Sequence, residues 1–151
     1  MVEEAELELE KLTPAELEQI KQVQRVANIA SKLADYALTK LTEHMSQATG
    51  RPITPQEALK FLEEHPELLS FELLDEAIAG NLRVKVLVNT SLRLVGAIIR
   101  RNDGWVAELR NNGPRFFLQM LQYRKDLYEL LKDKPKLVNF LVSYIMYKMG
   151  L

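Results

Sequence analysis

The run LRVKVLVNTSLRLVGAIIRRNDG, residues 82–104, decides the fold of this chain. It fits two templates. As a helix, Val84, Leu87, Val88, Val95 and Ile99 share a face. As strands, residues 82–88 alternate for most of their length. Three features favour strands. The run is dense in β-branched residues, Val84, Val86, Val88, Thr90, Val95, Ile98 and Ile99, with Val106 beyond. Turn-type clusters at Asn89-Thr-Ser91, Asn102-Asp-Gly104 and Asn111-Asn-Gly113 divide it at short intervals. Asp103-Gly104, lying between Ile98-Ile99 and Trp105-Val106, is a short-range hairpin signal, because a type I′ turn needs the positive φ that Asp and Gly tolerate. The sequence therefore predicts an α+β fold. It has a helical N-terminal part, a four-stranded antiparallel meander at about 82–120, and two C-terminal helices. The alternative is an all-α bundle.

The meander predicts a surface. Alternate strand residues face opposite sides. One face then carries Leu82, Val84, Val86, Val88, Leu92, Leu94, Ile98, Trp105 and Leu109, and packs on the helices. The other carries Arg83, Lys85, Arg93, Arg101, Arg110 and Arg115. Val95, Ile99, Val106 and Phe117 lie among them, and Glu108 is the only acid. Cations meet phosphates and release counterions, while apolar side chains contact bases, so this face suits a single-stranded nucleic acid. A solubilising face mixes signs more evenly.

Charge along the chain points the same way. The net charge of −1 conceals an asymmetry. Residues 1–79 hold 7 basic and 16 acidic side chains, whereas residues 80–125 hold 9 basic and only 2 acidic. A basic middle in an acidic protein suits a polyanionic partner, or neutralisation by its own acidic helices within the fold or across a dimer.

Flanking this segment, helix starts are well marked. Thr13-Pro-Ala-Glu16 and Thr54-Pro-Gln-Glu57 each offer an N-cap threonine, a proline at the first helical position and a glutamate at N3. The first helix is expected over about 14–48, with a broad apolar face built on Ile20, Val23, Ala27, Ala30, Ala34, Ala37, Leu41 and Met45 and a second stripe, Val26, Ile29, Leu33 and Tyr36, beside it. At about 50 Å it exceeds a compact domain of this size, which predicts a bend or self-association. Shorter helices are expected over about 55–64, 70–79 and 121–133. The last, 136–149, is apolar almost all round and must be buried within the fold or between subunits. Residues 14–151 read as one domain, preceded by an acidic, poorly ordered stretch over 1–13.

No catalytic motif stands out. His44 and His65 lack partners at metal-ligand spacing, and the phosphate-loop, dinucleotide and nucleophile-elbow patterns are missing. Glu63-Glu64 and Asp75-Glu76 diverge around their helices and read as solvated. There is no cysteine, which removes disulfides and thiolate chemistry. The N-terminus lacks a signal-peptide pattern, and the longest apolar run, 137–147, is too short to span a bilayer. These features suggest a non-enzymatic, cytoplasmic protein without cofactor, metal or membrane contact, working as a homo-oligomer through its first or last helix.

The segments LRVKVLVN (82–89), LRLVGAIIRR (92–101), WVAELR (105–110) and RFFLQ (115–119) lie between an acidic helical part and a helical C-terminus. This layout resembles the ThermoDBP-related archaeal single-stranded-DNA-binding proteins. The resemblance implies a thermophilic, DNA-binding oligomer with the strand in a basic cleft on a hydrophobic floor. The implied contacts are Arg83, Lys85, Arg93, Arg101, Arg110 and Arg115, with Phe117. Many Glu, Lys and Leu suit a thermophile, though fourteen Asn plus Gln do not.

Overall fold

The structure, a computed structural model, describes residues 13–121 and 123–151. The expectation of a poorly ordered N-terminus falls on residues 1–12, outside the described residues. The described chain is all-helical: α1 (Pro14–Thr49), α2 (Pro55–Glu64), a 3-10 turn (Pro66–Leu68), α3 (Phe71–Ala79), α4 (Leu82–Arg101), α5 (Trp105–Met120), α6 (Lys125–Leu131) and α7 (Pro135–Met149).

This corrects the α+β expectation. Residues 82–120 form two helices, and no strand occurs among the described residues. Asn81 starts α4 as its N-cap, its side-chain oxygen accepting from the Val84 N–H at 3.3 Å. Val88, Leu92, Val95 and Ile99 then recur at steps of 4, 3 and 4 and are buried, a helical period that alternation cannot produce. Burial of that stripe outweighs the strand preference of the β-branched residues, which amounts to tenths of a kcal/mol each. Asp103-Gly104 does turn the chain, and Gly104 has the positive φ of 84° that the hairpin required. It joins two helices instead, as the N-cap of α5, with its carbonyl accepting from the Glu108 N–H at 2.8 Å. The third turn cluster becomes a kink. Asn112 leaves helical geometry (φ −133°, ψ 38°), and Pro114 has no N–H to return to the preceding turn.

The two threonine caps stand where their spacing places them. Thr13 and Thr54 accept from the Glu16 and Glu57 N–H groups, both at 3.2 Å. The glutamate carboxylates accept from the cap hydroxyls rather than from the cap backbone. α1 is 36 residues long. Its first buried residue is Val26, and Val23 already packs against the core, so only about its first two turns project beyond it.

α7 lies at the centre, packed by α2, α4, α5 and α6, with Leu137, Val138, Leu141, Val142 and Tyr144 buried. Both its ends are held by charged side chains from elsewhere. The Glu63 carboxylate accepts from the Lys136 N–H at 3.0 Å and the Leu137 N–H at 2.8 Å. Arg100 donates to the Met149 carbonyl at 2.6 Å. An anion at the N-terminus and a cation at the C-terminus both complement the helix dipole. α5 crosses α7 closely at Gly113, where a Cβ would sit 2.8 Å from Val142 Cγ1. Gly113→Ala is therefore expected to destabilise the fold by about 1–3 kcal/mol through overpacking, although alanine favours helix. Urea unfolding of the variant, followed by circular dichroism, checks this.

Candidate functional site

The all-helical fold redistributes the residues of the expected basic sheet face. Arg83, Lys85, Arg93 and Arg101 lie on α4, and Arg110 and Arg115 on α5; all six are exposed. Phe117 is not a surface residue. It is 4% exposed and lies in the core beside Leu33, Leu92 and Ile145. At 100° per residue, Arg83 and Arg101 are about five turns apart and point the same way, with Arg93 about 80° round from them. Lys85 lies about 160° from Arg83, beside Asp75, Tyr144 and Lys148. Arg110 and Arg115 diverge around α5 across the Asn112 kink. The structure thus groups Arg83, Arg93 and Arg101 and separates the other three.

The grouped arginines frame a feature that includes Leu82, Val86 and Leu94, which the strand reading had assigned to the core. Leu82, Val86, Leu87 and Leu94 are 74%, 55%, 60% and 41% exposed. Arg83, Leu87, Thr90, Leu94, Ala97 and Arg101 follow one another at steps of 4, 3, 4, 3 and 4 along the outer face of α4. This is the 3.5-residue seam on which a second helix packs, knobs into holes. α4 therefore has two apolar stripes. The inner one faces the core, and the outer one faces solvent between arginines.

Electrostatics marks the same surface. α4 carries five cations and no acid. Arg83 and Lys85 stand in its first turn, where the helix dipole disfavours positive charge. Among the described residues, none of the six expected binding cations makes an ion pair within 4.0 Å. Arg124, from the same basic segment, is engaged instead with Asp35 at 3.2 Å and Asp126 at 2.9 Å.

A polar cluster beside α4 was missed because its members lie far apart in sequence. The Asp75 carboxylate accepts from Tyr144 Oη at 2.8 Å and pairs with Lys148 Nζ at 2.7 Å. Burial pushes the Asp75 pKa up. The bonds from Lys148 and Tyr144, with the charges of Lys148 and Lys85, outweigh it and hold the carboxyl below its usual range. Burial, then the bond to Asp75, raises the Tyr144 phenol. A phenol held so firmly protonated serves as a hydrogen-bond donor, not as a base. Asp75 and Glu63 are thus structural groups rather than the solvated ones their sequence neighbours suggest.

Inside the fold, the two apolar voids are about 20 and 30 Å³, room for at most a water each. Among the described residues, no group of three or more His, Asp or Glu side chains could hold a metal ion, and no helix is long and apolar enough to cross a membrane. No protein-family model, no curated protein and no solved structure matches this chain.

Two predictions follow from this geometry. Val86→Ser, on the outer stripe, is expected to change stability by less than about 0.5 kcal/mol, whereas Leu92→Ala, on the inner stripe, costs about 2–5 kcal/mol. Chemical denaturation of the two variants measures both. Asp75→Asn should lower stability at neutral pH. Because the folded pKa is depressed, the wild-type advantage is complete above the unfolded value of about 3.9 and is lost as pH falls through the folded one. Urea midpoints of wild type and variant should therefore converge below pH 4.

Proposed function

We propose that this protein is a non-enzymatic, cytoplasmic interaction module that binds an acidic amphipathic helix along the outer face of α4. The observation that carries the reading is the 3.5-residue seam of exposed Leu87, Thr90 and Leu94 with half-buried Ala97, closed at both ends by arginine. Four large aliphatic side chains exposed on one helix exceed what solubility needs, and an apolar seam with a charged rim is the usual anatomy of a helix-binding surface. The unpaired cations set the sign of the partner's flanks.

A second reading rests on those same cations. Arg83 and Arg101 point the same way about 27 Å apart, with Arg93 about 80° round between them, and such a row of arginines also suits the phosphates of a single-stranded nucleic acid. The flanking aliphatic groups favour the protein partner, because single-strand platforms add aromatic stacking to their cations, and the outer face of α4 carries no aromatic residue.

Fluorescence anisotropy separates the two. The probes are a labelled synthetic 18-residue helix, with leucine at its a and d positions and glutamate at e and g, and a labelled oligothymidylate. Each is titrated at low and high salt. The peptide is expected to bind, and the double variant L87D/L94D to weaken it at least about tenfold, as loss of central apolar contacts does. Arg83, Arg93 and Arg101 changed together to Ala should weaken it further and flatten its salt dependence. Salt-sensitive oligothymidylate binding that survives L87D/L94D, with no peptide binding, would sink the module and leave the nucleic-acid reading standing.

A further inference from the structure

We infer that the helix held on α4 belongs to a second copy of this chain, and that it is the acidic N-terminal segment Val2–Leu12. The inference rests on the reading of α4 as a helix-binding face. It adds the identity of the occupant.

Residues 2–12, VEEAELELEKL, carry five glutamates and one lysine. Val2, Ala5, Leu9 and Leu12 recur at steps of 3, 4 and 3, the same seam period as the outer face of α4. In that register Glu6 and Glu8 occupy the positions that flank the seam, while Arg93 flanks the seam of α4 beside Leu94. Each stripe thus has the spacing and the opposite charge of the other. Without a partner, the segment has too little apolar surface to form a core. A basic seam of equal period supplies one and removes the repulsion among its glutamates.

The geometry of α1 favours a second copy over the same chain. α1 and α4 run antiparallel: Val26 lies near Ile99, and Ala37 near Val88. Asn102, at the end of α4, donates to the Gln22 side chain at 3.0 Å. Pro14 is eight residues further along α1, about 12 Å past the end of α4. Thr13 is extended (φ −70°, ψ 158°) as the N-cap of α1, so the helix itself begins at Pro14. A helix over 2–12 spans only about 16 Å. To reach Leu87–Leu94 of its own α4, it would have to return past the end of that helix and round to the side turned away from α1. A neighbouring copy imposes no such path. Two copies exchanging segments reciprocally form a closed pair with both seams covered.

Sedimentation velocity on the intact chain tests this at low and high salt. A dimer is expected at low salt, dissociating as salt rises. A variant lacking residues 1–12 keeps Thr13 as its cap and should retain its helical circular dichroism while sedimenting as a monomer. Two charge-reversed chains give the stronger test. One carries Glu6→Lys, Glu8→Lys and Glu10→Lys, and the other Arg83→Glu, Arg93→Glu and Arg101→Glu. Each alone should be monomeric. Mixed in equal amounts they should pair, because both contacts are then oppositely charged. A monomeric intact chain, or a dimer that survives removal of residues 1–12, overturns the inference. If the synthetic acidic helix still binds α4 in that case, the interaction module stands and only its occupant is wrong. If the helix also fails to bind, both fall.

Discussion

The burial of α7 governs this fold. Its apolar residues cover nearly its whole circumference, so it is stable only when enclosed. Enclosure creates a second requirement at the helix ends, where backbone groups without helical partners are partly withdrawn from water. Glu63 meets it at one end and Arg100 at the other, each carrying the charge that the helix dipole favours. The remaining helices follow from that enclosure. α5 can approach only because Gly113 leaves room for Val142, and the kink at Asn112 brings it there. α4 gives one stripe to the shared core and sends Arg100 across to the end of α7.

Much of this was legible locally, and what was not depended on distant partners. The α1 and α2 boundaries could be read because a threonine–proline–glutamate cap is complete within four residues. Glu63 could not be read, because its partners lie 73 and 74 residues away. Asp75 has the same difficulty with Tyr144, 69 residues away. The α4 error has a different origin. Residues 82–88 alternate because two stripes, one inner and one outer, overlap on a single helix. A helix with two apolar stripes lacks the single amphipathic face that the helical period is used to find. The feature that misled the fold assignment is therefore the feature that marks the candidate site. Arg83, Arg93 and Arg101 survive as a group for a helical reason, whereas Phe117 was placed outside only by strand alternation.

Stability alone does not account for the outer stripe. Leu82, Val86, Leu87 and Leu94 lie on the side of α4 opposite the inner stripe that builds the core. Arg83 and Lys85 oppose the dipole at the start of their own helix. A sequence shaped only for folding would place acids in that first turn and polar groups along that face. Both departures disappear once an acidic helix lies on α4. The leucines are then covered, and the glutamates stand near the positive charge and the free N–H groups of the first turn. The acidic N-terminal segment likewise gains neutralising partners and a surface for its apolar stripe. The strong charge asymmetry between the two parts of the chain, which nearly cancels in the whole, is then a complementarity between copies rather than a balance struck within one.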